Sequence, residues 1–290
     1  MKCKWIKKLT AGIIFLAAVG SLSGCQKAAT SENLFRDIEV NMTSVESAEE
    51  NQIVKLQMGD GDGAISQESN LDIEMIRNPA AVHRKGQQKT NMAGTKETQE
   101  MESYQVEEDG KTVIYSGTDE AWEKNAVEEK ETSSQQTVLF DGLQNLSGAF
   151  SVSQDLATVN KEECFELTGT ISGTQFQETF ADTLKALLGE DSSDLSGWNL
   201  QASEDEENNE ELQKKLNNVK VDCVIDIYRS NILPAKITFD LTDYLKAAGE
   251  ENAQVTSYTL EVTFVSYNDT KKIKVPKAVK ESAKDNGEDE

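Results

Sequence analysis

The stretch that decides the fold is VDCVIDIYRSNILPAKITFDL, which runs from Val221 to Leu241. Apolar side chains occupy every second position of its first segment, which is the spacing of one face of a β-strand. These residues are Val221, Cys223, Ile225 and Ile227. A turn at 229–231 separates this segment from a second apolar one at 233–241. The stretch therefore predicts an antiparallel hairpin with one buried face.

The same alternation recurs on both sides of this hairpin. Residues Tyr258, Leu260, Val262 and Phe264 repeat it, and so does the segment at 71–75. Glycine-containing turns at 60–63 and 108–110 predict hairpin connections. Further strands are predicted at 82–92, 101–107, 112–116, 149–158, 164–172 and 271–275.

Helical spacing occurs in fewer places. Leu34, Ile38 and Met42 form one stripe. The clearest helix follows Thr174, which is placed to form a capping box with Gln177, and it ends at Gly189. Its apolar face consists of Phe176, Phe180, Leu184 and Leu187. Shorter helices are predicted at 134–146, 212–217 and 242–248.

Roughly eleven alternating strands and four helices predict an α+β fold, in which helices pack on one face of an antiparallel sheet. The acidic, serine- and asparagine-rich segment 190–210 interrupts this pattern without ending it. We therefore interpret residues 34–280 as one domain with an insertion at 190–210, followed by a charged tail at 281–290.

The start of the chain predicts where the protein is located. Residues Leu22-Ser23-Gly24-Cys25 match a lipobox, the site at which a bacterial prolipoprotein is cleaved before its cysteine. The apolar run before it is shorter than the about 20 residues that span a bilayer. We predict a signal peptide over 1–24, a lipid such as palmitate on Cys25 and a polar tether over 25–33. The protein would then lie on the extracytoplasmic face of the cell membrane.

Composition and charge limit the partners. The formal net charge is −23, and the predicted signal peptide carries lysines but no acids, so processing leaves the chain more acidic. Because such a surface repels phosphates, we expect no nucleic-acid partner. The cysteines that remain besides Cys25 are Cys164 and Cys223. Their strand positions place them on opposite faces, which favours free thiols and leaves a disulfide as the alternative.

The sequence offers no evident catalytic or metal site. His83 is the single histidine and lies in a polar segment, so we interpret it as an exposed surface residue. Metalloprotease, nucleophile-elbow, P-loop and dinucleotide fingerprints are missing from the sequence. We predict no enzyme activity, no cofactor and no metal. Trp122 and Trp198 are interpreted as local packing anchors.

Two C-terminal patterns resemble a known family. They are Tyr228 with Leu233-Pro234-Ala235-Lys236, and Val275-Pro276-Lys277-Ala278-Val279. Both are similar to motifs in Gram-positive lipoproteins of unknown function, whose architecture resembles the LolA-like half-barrel. The resemblance implies a single strongly curved antiparallel sheet that wraps its helices on the concave face. It also implies that acyl chains can be held between the sheet and the helices.

These expectations lead to two functional hypotheses. The first is a binding protein for a hydrophobic or lipid-like ligand, held by two apolar faces: Phe176, Phe180, Leu184 and Leu187 on the helix, and Tyr258, Leu260, Val262 and Phe264 on the strand. The alternative is a structural lipoprotein that contacts another envelope protein through the insertion 190–210 and Trp198. A solute receptor with two α/β lobes is disfavoured, because no βαβ periodicity is present.

Overall fold

The structure, a computed structural model, describes residues 29–118, 121–127, 142–188, 212–248, 254–270 and 272–285. The strands are β1 (Ser47–Met58), β2 (Ile65–Ile76), β3 (Ala81–Met92), β4 (Thr95–Glu108), β5 (Lys111–Thr118), β6 (Ala121–Val127), β7 (Phe150–Val159), β8 (Glu162–Ser172), β9 (Lys220–Tyr228), β10 (Pro234–Asp240), β11 (Val255–Tyr267) and β12 (Lys284–Asp285). The helices are α1 (Ser31–Met42), α2 (Leu143–Leu146), α3 (Gly173–Leu188), α4 (Thr242–Ala248) and α5 (Lys277–Ser282).

All twelve strands described belong to one sheet, in the order β12-β6-β5-β4-β3-β2-β1-β11-β10-β9-β8-β7. Neighbouring strands are antiparallel, except that β12 pairs in parallel with β6. The predicted fold class is confirmed: the chain forms an α+β half-barrel in which one curled, mostly antiparallel sheet carries a few helices. The strands predicted individually left out β1, β6 and the two-residue β12.

The hairpin at 221–241 forms as predicted. Cys223 pairs with Phe239 and Ile225 with Ile237, so the apolar positions of β9 and β10 share a face. β8 and β11 flank the hairpin in the sheet. The hairpin therefore lies at the centre of the main hydrophobic core.

Two of the predicted turns connect strands. The segment 60–63 joins β1 to β2 and includes a short 3₁₀ turn. Asp109 and Gly110 join β4 to β5, and both have positive φ angles, as a two-residue type I′ hairpin requires. These hairpins fix the register of the sheet on the side formed by β1 to β5.

The two longest helices, α1 and α3, begin at positions with a side-chain cap. α1 begins at Ser31, where the Thr30 side chain accepts a hydrogen bond from the Asn33 amide at 3.2 Å. The predicted cap of α3 is wrong by two residues. Ser172 accepts from the Gln175 amide at 3.1 Å, and the Gln175 side chain accepts from the Ser172 amide at 3.0 Å. This is a capping box on Ser172 and Gln175 instead of on Thr174 and Gln177.

The other predicted helices have different outcomes. α4 forms at 242–248 as expected, and a helical turn covers 212–216. Of the helix predicted at 134–146, only α2 belongs to the described chain. No helix in the described ranges is long and apolar enough to cross a membrane.

The helices pack against one half of the sheet. α1 and α2 contact each other, and the main contacts of helices α1, α3 and α4 with strands fall on β7, β8, β9 and β11. Buried residues from these elements form the largest apolar cluster, which includes Phe35, Phe150, Leu167, Ile225 and Leu260. The core is therefore centred under β7–β11 and not under the middle of the sheet.

The C-terminal segment covers the outer face, opposite to these helices. The strand predicted at 271–275 is wrong, because the described residues 272–276 pair with no strand and run along the sheet instead. Ile273, Val275 and Val279 pack against the outward side chains of β4–β6. An ion pair between Lys280 and Glu108 fastens α5. The side chains of Ile273, Val275 and Val279 thus pack against the sheet, although residues 272–276 form no backbone pairing with a strand.

The two cysteines are free and lie in separate clusters. Cys223 belongs to the main core, whereas Cys164 packs on the other face with Tyr228 and Ala235. The opposite orientations predicted from strand parity explain why they do not form a disulfide.

Glycine allows β2 and β3 to approach closely. A Cβ atom on Gly86 would lie 2.0 Å from the carbonyl oxygen of Asn70 and 2.9 Å from the Cα of Leu71. Both obstacles are backbone atoms of the neighbouring strand, so they cannot turn away. A glycine inside a strand commonly marks such a close approach and permits the sheet to bend.

We therefore expect Gly86→Ala to lower the free energy of unfolding by about 3 kcal/mol, because the added methyl group forces two paired strands apart. Urea denaturation followed by circular dichroism measures this change. Gly63→Ala is the matched control, since a Cβ at Gly63 would meet no atom within 4 Å. Equal stabilities of the two variants would contradict this explanation.

Candidate ligand-binding site

The side chains expected to contact a ligand form part of the packed core. Phe176, Phe180 and Leu260 have no exposed surface, and Tyr258, Val262 and Phe264 are exposed by 3% or less. The Phe176 ring lies 5.3 Å from that of Phe239 and 5.0 Å from that of Tyr244, both edge to face. Leu184 and Leu187 lie in α3, but their side chains are outside the described residues. A ligand contact at these eight residues stays a prediction.

The face that carries this core continues beyond it. Val262, Gln52, Leu71, Gly86 and Met101 are neighbours in register across β11, β1, β2, β3 and β4. We call the part of this face on β1–β4 the trough. Its half-buried apolar side chains are Val54, Leu56, Met58, Ile65, Leu71 and Met101, and the half-buried polar side chains Gln67, Ser69, Arg84, Gln88 and Thr90 share the same face.

The apolar part of the trough lies on β1 and β2, where it joins the core and is incompletely covered by the described elements. Val54 and Leu56 pack against the edge of the main cluster. The main helix contacts lie on the other half of the sheet, and each trough residue keeps part of its surface exposed. A half-exposed apolar face that continues a core is typical of a surface that receives an apolar partner.

The deep end of the trough contains polar side chains that sequence reasoning missed. Glu50 and Gln52 share the face of Val54, but they are only 2% and 1% exposed. Glu50 lies between Phe264 and Ile73 in the register. The signal available in the sequence was spacing, since 50, 52, 54 and 56 fall on one face of a strand.

These buried side chains present acceptors without donors. Both Glu50 carboxylate oxygens and the Gln52 amide oxygen are buried and have no hydrogen-bond partner within the described residues. A buried acceptor left without a donor costs about 1–3 kcal/mol. The three oxygens therefore form an unsatisfied polar group within an apolar surface.

Glu50 also interacts electrostatically with Arg84. Burial raises the pKa of Glu50 to about 7, and the positive charge of Arg84 partly opposes that rise. Burial also lowers the pKa of Arg84, and the charge of Glu50 opposes this shift. Arg84 pairs with Ile73 in the register, so it lies two strands away from Glu50 on the same face. Near neutral pH, the Glu50 carboxyl can therefore exist in both protonation states.

The outer face of the sheet holds a different cluster. The His83 ring stacks on Tyr104 with centroids 4.3 Å apart, Nδ1 lies 3.3 Å from the Glu74 carboxylate, and Nε2 lies 3.0 Å from the Glu102 carboxylate. The interpretation of His83 as an exposed residue is wrong, because 20% of its side chain is exposed and it is held on three sides. Trp122 packs against Tyr104, as a packing anchor should.

Other predicted features have separate outcomes. A search of the described residues finds no group of three or more histidine, cysteine, aspartate or glutamate side chains placed to hold a metal ion. Cys25, the insertion 190–210 and Trp198 lie outside the described residues. The trough therefore offers the best-defined candidate site.

Glu50 gives a test of these electrostatics. An unfolded glutamate titrates near 4.5 and the folded one near 7, so between these values the folded protein keeps a proton that the unfolded chain has lost. The free energy of unfolding must therefore fall as the pH rises through this window. At pH about 8, Glu50→Gln is expected to raise the free energy of unfolding by on the order of 3 kcal/mol, because it removes this ionisation.

Urea denaturation between pH about 4 and about 8 measures the difference, which should nearly vanish at the acid end. Glu97→Gln, at an exposed position of β4, is the control and should follow the unmodified protein at every pH. A Glu50→Gln protein that unfolds more easily than the unmodified protein at pH about 8 would show that the ionised form is stabilised in the folded protein.

Comparison with known proteins gives a family and a set of similar architectures. The sequence pattern of DUF6612, a family of unknown function, matches residues 30–284. No curated protein matches the chain. LprF from Mycobacterium bovis is a similar structure, with a TM-score of 0.46 and 10% identity over 85% of this chain and 96% of its own.

Two further structures cover most of the chain. The lipoprotein LppX from Mycobacterium tuberculosis has a TM-score of 0.43 and 13% identity, over 84% of this chain and 98% of its own. A LolA superfamily protein from Nitrosomonas europaea has a TM-score of 0.23 and 10% identity, over 87% of this chain and 97% of its own.

Proposed function

The chain belongs to this family of unknown function, and we propose that it is a lipid-anchored extracytoplasmic protein that binds a hydrophobic or lipid-like ligand in the trough. The observation that carries the proposal is the half-exposed apolar surface of β1 and β2, which continues the main core without a covering helix among the described elements. An apolar chain that fills this surface would gain about 25 cal/mol of free energy for each Å² of apolar area removed from water.

The eight residues expected to contact the ligand keep a role in this proposal. Tyr258 and Leu260 pair with Leu56 and Val54 in the register, so the strand that carries the aromatic core also forms one wall of the trough. In our proposal the core residues hold this wall in place, and the ligand lies mainly against the half-buried side chains.

The anchor is supported by the N-terminal sequence. In our proposal, residues 1–24 are removed, Cys25 carries the lipid, and the polar residues from 26 onward join the membrane to α1. The domain then extends to about 280, with the insertion at 190–210 and a charged tail. The two C-terminal motifs favour a Gram-positive envelope as its location.

We further propose that the protein is not an enzyme. The sequence lacks the fingerprints of hydrolases, nucleotide-binding enzymes and zinc peptidases, and the His83 ring is held by stacking on Tyr104 and by the carboxylates of Glu74 and Glu102. A ligand on β1 and β2 would meet the aliphatic and thioether groups of Val54, Leu56, Met58, Ile65 and Leu71, which bind without reacting. Binding and release are the chemistry that this surface can perform.

Binding is tested with the chain from residue 25 onward, carrying Cys25→Ser so that no lipid is attached. We expect the neutral dye N-phenyl-1-naphthylamine to become fluorescent in the trough. Met101→Lys should weaken this binding by at least about tenfold, because it places a charge at a half-buried apolar position of the trough.

Glu100→Lys is the matched control, because it introduces the same side chain at the exposed neighbouring position, on the opposite face of β4. Circular dichroism must show both variants folded. If Met101→Lys and Glu100→Lys bind the dye equally, the ligand does not lie in the trough.

The anchor is tested in bacterial cells that express the full chain. We expect incorporated palmitate and membrane fractionation for the unmodified protein, and loss of both for Cys25→Ser. Mass spectrometry of the N-terminal peptide identifies the acylated residue. Ser23→Ala is the control, since it changes the lipobox without removing the acyl acceptor. Equal palmitate labelling of the Cys25→Ser protein would exclude Cys25 as the lipid site.

A further inference from the structure

The trough is not uniformly apolar along its length. Along β1, burial increases from half-buried Met58, Leu56 and Val54 to fully buried Gln52 and Glu50. The apolar end is thus open, and the polar end lies beside the core. A ligand that matches this gradient has an apolar chain and one polar end.

The polar end contains hydrogen-bond acceptors that lack donors among the described residues. Three buried oxygens on Glu50 and Gln52 can accept hydrogen bonds and have no partner in the described part of the chain. They are two residues apart on one strand, so their side chains emerge about 7 Å from each other on the same face. Apolar neighbours flank them on both sides: Phe264 and Val262 on β11, Ile73 and Leu71 on β2.

We propose that Glu50 and Gln52 bind the polar head of an amphiphile, and that this head is an uncharged group with hydroxyl donors. This inference rests on the proposed function and adds the chemical class of the ligand. Hydroxyl groups supply the donors that the three oxygens lack, and hydrogen bonds inside a low-dielectric surface are strong. The acyl chain then lies along Val54, Leu56 and Met58 toward the open end.

An anionic head fits the site less well. A carboxylate or phosphate has no proton to donate, and it would approach the Glu50 carboxyl in a chain of net charge −23. Arg84 is the positive group on this face, and its charge already acts on Glu50. The head also has to displace the side chains that cover the acceptors. The hydrogen bonds that it gains offset this cost.

Three ligands with the same acyl chain separate the effect of hydroxyl donors from the effect of charge. Monolaurin has hydroxyl donors, methyl laurate has none, and laurate is anionic. Each is used at pH about 8 to displace N-phenyl-1-naphthylamine from the chain with Cys25→Ser. We expect monolaurin to displace the dye at an about tenfold lower concentration than methyl laurate or laurate, which corresponds to about one net hydrogen bond.

Variants test whether the preference comes from these side chains. Gln52→Leu should reduce the advantage of monolaurin to about threefold or less and leave methyl laurate unchanged. Glu50→Gln, which keeps the shape and one acceptor, should also reduce it and guards against a folding defect in the first variant. Gln57→Leu is the matched control, because Gln57 is exposed on the opposite face of β1. It should keep the full advantage.

The outcomes separate the two proposals. Equal displacement by monolaurin and methyl laurate would overturn the head-group inference while the trough remains a binding surface. Stronger displacement by laurate would assign the head to Arg84 and also overturn it. If the dye does not bind and none of the three ligands binds by calorimetry, the proposed function itself fails.

Discussion

The helices among the described elements cover one half of a sheet face that carries further apolar side chains on β1 and β2. α1, α3 and α4 bury Phe35, Phe176, Phe180 and Tyr244 against β7–β11, and this packing provides most of the hydrophobic core. The same face extends without interruption into β1 and β2 through Val54, Leu56 and Leu71. The packed core and the half-exposed surface are thus parts of one sheet face, and the proposed ligand would extend the core over apolar side chains that the described residues leave partly exposed.

This arrangement explains why a buried carboxyl can persist at Glu50. A glutamate among phenylalanine, isoleucine and valine side chains lowers stability unless something satisfies it, and the charge of Arg84 does so only in part. Binding sites commonly keep such unfavourable groups, because the stability that they remove is returned on binding. The apolar side chains of the trough are of the kinds that pack in any sheet. Packing therefore does not explain why Glu50 and Gln52 occupy buried positions.

The sequence predicted the elements of this fold better than their relations. Period-two spacing was sufficient for the hairpin at 221–241, because both of its strands alternate and a short turn joins them. The capping box failed for a local reason. Ser172 and Thr174 each have a glutamine three residues later, and the end of the β8–β9 ladder decides between them, since the Gly173 amide bonds to Val219 and the Thr174 hydroxyl to Asn217. His83 failed for a longer-range reason, because its partners Glu74 and Glu102 come from neighbouring strands whose register the sequence does not reveal.

The side chains predicted to contact a ligand lie on the same face as the trough but in the half that the helices pack against. Phe176 and Tyr258 were chosen because they are apolar and opposed, and those properties are the ones that make them fill the core. The outer face supports this distinction, because there the chain covers its own apolar residues: Val275 and Val279 lie over Tyr104 and Trp122. A chain that lays its C-terminal segment over one apolar surface can cover apolar surface where stability requires it. Among the described residues Val54, Leu56 and Leu71 stay half-exposed, and this is the surface that the proposed ligand would cover.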